Sequence, residues 1–201
     1  MGNQAAAVVS VEVPTSGQMR ALGRSLAGLL RAGDLIILSG GLGAGKTTLT
    51  QGIGDGLGVR GPITSPTFVI ARLHPPVPGA AGGTGAASGT AVPGEVSADL
   101  ASPRPPLVHA DAYRLGSSLE LDDLDLDTDT AAAVTVVEWG EGLAEGLAAD
   151  RLEISITPQP GNGGDDLADP LADLPRTVRI SAVGARWEGV QLPLARPADR
   201  L

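Results

Sequence analysis

Residues 40–47 read Gly40, Gly41, Leu42, Gly43, Ala44, Gly45, Lys46 and Thr47, a run in which two glycines with four residues between them are followed by Lys and a hydroxyl residue. Each residue type has a physical use. Glycines let the backbone fold so that successive N–H groups point inward at phosphate oxygens, and a helix starting near Lys46 adds its positive end. Lys46 supplies a mobile cation for the β and γ phosphates of a nucleoside triphosphate, and the Thr47 hydroxyl can ligate Mg²⁺. The expected phosphate contacts are Gly43, Ala44, Gly45, Lys46, Thr47 and Thr48. With 29 glycines in the chain, chance could produce much of this pattern, but Lys46 is the only lysine and stands where the pattern demands one.

A phosphate loop needs an acid near its magnesium, at the end of a second buried strand. Two apolar runs end that way: 134–137 leads into Glu138, and 107–110 leads into Asp111. Either acid could instead be a surface group capping the next element. His109, inside the second run, reads as a structural residue, because P-loop hydrolysis depends on positioning and charge stabilisation more than on a strong base.

Several classes are excluded. Guanine recognition uses an Asn-Lys-x-Asp element, which a chain with one lysine, already at the phosphates, cannot contain. A net charge of −9 repels a nucleic-acid backbone, so strong direct nucleic-acid binding is not expected. The absence of cysteine rules out disulfides, thiolate metal sites and a Cys nucleophile. Residues 5–13 have neither the charge nor the uninterrupted apolar run of a secretory leader, and no apolar stretch reaches about 18–20 residues, so the chain is expected to be cytoplasmic with no membrane role.

These residues need elements to hold them. The spacing predicts a strand at 8–13, then a helix capped by Thr15 or Ser16, carrying Met19, Leu22, Leu26, Leu29 and Leu30 and ended by Gly33. Residues 35–38 are apolar throughout, as a parallel strand buried on both faces should be. A helix follows from Thr47 to about Leu57, weakened at Gly52, Gly54 and Gly56 by up to about 1 kcal/mol each relative to Ala. Further strands are expected at 67–73, 107–110, 134–137, 151–157 and 177–183, with short helices at 118–126 and 141–147. Residues 75–106 and 159–175, rich in Pro, Gly, Ala or Asp, read as mobile insertions in a single domain spanning 1–201. The fold class is α/β: a P-loop NTPase fold with a mostly parallel central sheet flanked by helices.

Five blocks occur in order: 40–48; Thr64, Ser65, Pro66, Thr67 and Phe68; His109 through Leu115 (His-Ala-Asp-Ala-Tyr-Arg-Leu); an acidic stretch from Glu120; and Val137, Glu138, Trp139 and Gly140. Together they closely resemble the TsaE family, also called YjeE, over most of the chain outside the two insertions. The resemblance implies a magnesium-dependent P-loop ATPase of tRNA threonylcarbamoyladenosine biosynthesis, working with two protein partners, TsaD and TsaB, on adenosine next to the anticodon. It implies catalytic roles for Lys46, Asp111 and Glu138. Thr47 and Glu138 would be the magnesium ligands, and Asp111 the acid that positions water or couples nucleotide state to a partner. Ser65 and Thr67 match a switch-like loop facing the γ-phosphate; hydroxyl residues around Pro66 suit a loop ordered by phosphate and released after hydrolysis. The adenine end is expected at Thr15, Ser16 and 179–184. Trp139 is expected to be core packing more often than a functional contact. One departure is Gly41, where many relatives carry an acid.

Two other readings share the phosphate loop. A small-molecule kinase would need an arginine-bearing lid, for which the long insertion offers only Arg104. A nucleotide-sensing interaction protein would bind ATP or ADP with little turnover.

Overall fold

The computed structural model describes residues 7–65, 71–78, 104–114, 131–159 and 174–193. Its strands are β1 (Val8–Val13), β2 (Leu35–Ser39), β3 (Ala71–His74), β4 (Leu107–Asp111), β5 (Val134–Glu138), β6 (Arg151–Pro158) and β7 (Arg176–Val183); its helices are α1 (Ser16–Ala27) and α2 (Lys46–Leu57). They form one sheet in the order β1-β7-β6-β2-β5-β4-β3. The four central strands, β6, β2, β5 and β4, run parallel. The outer strands β7, β1 and β3 pair antiparallel, so the sheet is mixed, with its parallel part at the centre as expected. The helix expected at 118–126, Thr67 and Phe68, and most of the two insertions lie outside the described residues.

The apolar run of β2 is buried on both faces because it serves two cores. Ile36 and Leu38 join Met19, Leu22 and Leu26 of α1 and Leu49, Ile53 and Leu57 of α2. Leu35 and Ile37 face the other side with Val108, Ala110 and Val137, under Leu143 and Leu147. Each such side chain taken from water contributes about 1.5–3 kcal/mol, which is how a chain nearly without aromatic residues is held together.

The glycines of α2 have a use the helix propensity does not reveal. A Cβ on Gly52 would lie 2.3 Å from the carbonyl oxygen of Arg20, and one on Gly23 would lie 2.4 Å from that of Leu49. Both are impossible contacts, so these glycines let α1 and α2 touch backbone to backbone.

Two boundaries differ from expectation. α1 is capped by Thr15, whose side chain accepts from the Gln18 N–H, but it ends at Ala27 and not at Gly33. Leu29 and Leu30 donate three residues back, tightening the last turn, while Arg186 donates to the Leu29 carbonyl and grips Asp34 at 3.0 Å, which turns the chain into β2. The helix expected at 141–147 is only a 3₁₀ turn at Glu145–Leu147. Gly142 sits at φ 79°, and the Glu145 carboxylate accepts the Gly142 N–H at 2.7 Å, fixing a turn where a helix would need continuous αR backbone. The described ends of the first insertion are tied down: Val59 bridges to Pro76, and Arg104 donates to the Gly56 carbonyl at the end of α2.

Candidate functional site

The phosphate loop joins β2 to α2 at the carboxyl end of the parallel strands, with Gly45 at φ 112° as the residue before the first helical turn. Gly40 at φ 139° sits so close to β6 that a Cβ there would lie 2.4 Å from the Ile156 carbonyl oxygen. The loop is thus left-handed in places and crowded in others, and only glycine satisfies both conditions. Thr48, Thr47 and Gly45 are half-buried, Ala44 is buried, and Gly43 is exposed.

Lys46 begins α2 and is itself buried. Its Nζ donates to the carbonyls of Gly40 and Gly41 at 2.8 and 3.0 Å and lies 3.5 Å from the ring centroid of Trp139. Burial lowers its pKa from the ordinary lysine value, while the carboxylates of Glu138 and Asp111 pull it back up. The cation is therefore stripped of water and held among groups that phosphate oxygens could replace.

Register brings the two acids together. β4 and β5 are parallel neighbours in which Asp111 stands opposite Glu138, each the last residue of its strand. The Thr47 hydroxyl reaches the Glu138 carboxylate at 2.9 Å to Oε1 and 3.1 Å to Oε2. His109 Nε2 meets Oε1 at 2.8 Å. Asp111 accepts from the Ser65 hydroxyl at 3.2 Å and from the Tyr113 N–H at 2.9 Å. Lys46, Thr47, Asp111, Glu138 and Ser65 thus converge; Thr67 lies outside the described residues. The hard oxygen donors of Thr47 and Glu138, already in contact, fit Mg²⁺, which favours such ligands and keeps the rest of its shell for water and phosphate.

Trp139 is not a core residue. It is half-exposed, stands at φ 60° as the only described non-glycine with positive φ, and stacks against Tyr113 at 5.0 Å. Its N–H donates to the Leu38 carbonyl, which anchors the backbone and leaves the ring against Lys46. Left-handed backbone at a bulky residue costs about 1–3 kcal/mol, and such residues cluster at functional sites.

Thr15 and Ser16 start α1 just after Val13, whose strand partner is Arg176, so they lie at the loop's end of the sheet. The 179–184 stretch does not stay with them. Arg179 is level with Ser39 through Ser155, and from there the strand runs away until Gly184 packs on Ala149 and Asp150. The late-strand residue that reaches the loop is Arg176, whose Nε donates to the Ala44 carbonyl at 3.0 Å. Its contact spans 132 positions, and no local pattern marks it. Arg104, bound at the far end of α2, is about 18 Å of helix away from the loop.

Among the described residues, no helix is long and apolar enough to cross a membrane. A family model described as "Threonylcarbamoyl adenosine biosynthesis protein TsaE" matches residues 13–80 and 96–163, leaving out part of the first insertion. The chain is 50% identical over 170 residues to the tRNA threonylcarbamoyladenosine biosynthesis protein TsaE of Streptomyces coelicolor, covering 84% of this chain and 93% of that protein. It is 31% identical to the Bacillus subtilis protein of the same description, over 89% of each chain. Among solved structures, Bacillus subtilis YdiB superposes with a TM-score of 0.61 at 25% identity, covering 92% of this chain and 93% of that one. Fold, ordered motifs and relatives agree, and the chain belongs to the TsaE family of tRNA threonylcarbamoyladenosine biosynthesis.

Proposed function

We propose that this chain is a magnesium-dependent ATPase of the cytoplasm whose nucleotide cycle serves threonylcarbamoyl modification of adenosine next to the tRNA anticodon, through the protein partners TsaD and TsaB. The observation that carries the ATPase reading is the Thr47–Glu138 contact, which ties the phosphate loop to the end of β5. Lys46, now on the Gly40 and Gly41 carbonyls, would hold ATP phosphates together with the loop N–H groups from Gly43 to Thr48. Thr47 and Glu138 would hold Mg²⁺, which supplies neutralisation of developing charge on the transferred phosphoryl. Asp111 holds Ser65, so it connects the phosphate end of the site to the segment that Ser65 begins and either positions water or transmits nucleotide state. Adenine would lie toward Thr15 and Ser16, on the side of the loop where Arg176 meets Ala44. The acidic chain leaves tRNA to its partners.

The test is ATP binding and hydrolysis by the full chain. Lys46→Ala is expected to abolish ATP binding, and Glu138→Ala to impair magnesium-dependent hydrolysis above all. Undiminished turnover by both variants would refute the assignment. Stimulation of turnover by TsaD and TsaB together would support the partner reading, and indifference to them would count against it.

A further inference from the structure

The proposed use of Glu138 leaves a buried histidine without a task. His109 and Leu107 alternate with Val108 and Ala110 along β4, which puts His109 on the α2 side of the sheet with Glu138. His109 has no exposed side-chain surface and Glu138 has 3%. Its Nε2 lies 2.8 Å from Glu138 Oε1, the oxygen that the Thr47 hydroxyl also approaches most closely, while its Nδ1 is buried without a partner.

We propose that His109 is a positioning residue: it donates its Nε2–H to Glu138 Oε1 and fixes the rotamer in which Oε2 is left to face the metal and phosphates. The tautomer follows from the partners. A carboxylate only accepts, so the proton of a neutral imidazole sits on Nε2 and Nδ1 stays bare. A buried carboxylate needs donors to be tolerated at all, and Thr47 must give up part of its contact when its oxygen turns to a cation. His109 is the donor that stays. It comes from the sheet and not from the loop, so the carboxylate keeps its aim whether or not nucleotide is bound. Partners of this kind behind a ligating side chain are worth about 10–100-fold in metal affinity or activity when removed.

This inference rests on the proposed magnesium role of Glu138, and the experiment separates the two. Binding of a fluorescent ADP analogue is titrated with Mg²⁺ for the full-length wild type, His109→Leu, His109→Gln and His109→Asn, with folding checked by circular dichroism and hydrolysis measured in parallel. Leu keeps much of the volume without a donor. Gln can place an amide N–H near the Nε2 position, and Asn is too short to reach it. The expected result is that His109→Leu and His109→Asn need about tenfold more Mg²⁺ or beyond for half-maximal effect, with binding in the absence of Mg²⁺ unchanged. His109→Gln should recover most of the loss in both Mg²⁺ requirement and kcat. A purely structural histidine would alter thermal stability but leave the Mg²⁺ midpoint of the folded protein alone, and that result overturns the proposal. If His109→Leu does not fold, the Gln and Asn pair decides: equal midpoints overturn the inference. A wild type whose nucleotide binding ignores Mg²⁺ removes the functional reading itself.

Discussion

Glu138 and Asp111 stand opposite one another at the ends of adjacent strands, yet they are held in different ways. Glu138 is 2% exposed and takes its hydrogen bonds from His109 in the sheet and Thr47 in the phosphate loop. Asp111, at 8%, is held by its own turn through the Tyr113 N–H and by the Ser65 hydroxyl. Two carboxylates that the sequence presents as equivalent strand ends therefore belong to different machinery. One is fixed to the sheet through His109 and to the phosphate loop through Thr47, and the other is tied to Ser65, outside both.

The comparison breaks most sharply at Glu138. Glu138→Gln keeps the shape and one acceptor oxygen but turns the other oxygen into an amide donor and removes the charge that would face the cation, and should lower kcat by about 100-fold or more, as loss of a group stabilising transition-state charge does. Its effect should shrink when ATP binding is measured without Mg²⁺. Asp111→Asn is expected to cost less in ATP affinity and to act chiefly on kcat and on stimulation by partners. Equal magnesium dependence of both variants would erase the distinction between the two acids. Ser65→Ala sharpens it further: it should reproduce part of the Asp111→Asn defect, leave the Mg²⁺ midpoint unchanged, and add little when combined with Asp111→Asn. Additive losses in the double-mutant cycle would show that the Ser65–Asp111 contact is not the link. The smallest effect is expected at Arg176→Ala, a several-fold loss of ATP affinity with kcat retained, because its hydrogen bond to the loop goes to a backbone carbonyl, that of Ala44. An unchanged affinity would remove Arg176 from the site.

Much of this site was legible because its residues sit where local patterns end. A short, largely apolar run announces a buried strand, so Glu138 and Asp111 read as strand-end acids, and the glycine-rich turn follows the all-apolar run of β2 directly. What stayed hidden depends on contacts distant in sequence. Arg176 approaches the loop only because β7 folds back beside β6, past the residues that match the family model. A tryptophan directly after a buried strand reads as core packing, whereas its left-handed backbone turns Trp139 to Lys46. The glycines of α2 looked like a weakness of the helix, since propensity counts the backbone cost and knows nothing of the facing surface. Gly52 in contact with the Arg20 carbonyl supplies that surface, and Gly52→Ala should destabilise the fold by about 1–3 kcal/mol through overpacking, read as a lower midpoint in urea.

The account stands on Lys46, Thr47 and Glu138 forming one site for magnesium and nucleotide phosphates. Calorimetric titration of ATP into the full chain, with and without Mg²⁺, for the wild type and Glu138→Gln tests this most directly. Magnesium should tighten wild-type binding clearly, and Glu138→Gln should lose most of that gain while binding free ATP no more weakly than the wild type. Wild-type binding that is the same with and without magnesium, or a gain that survives intact in Glu138→Gln, would contradict it.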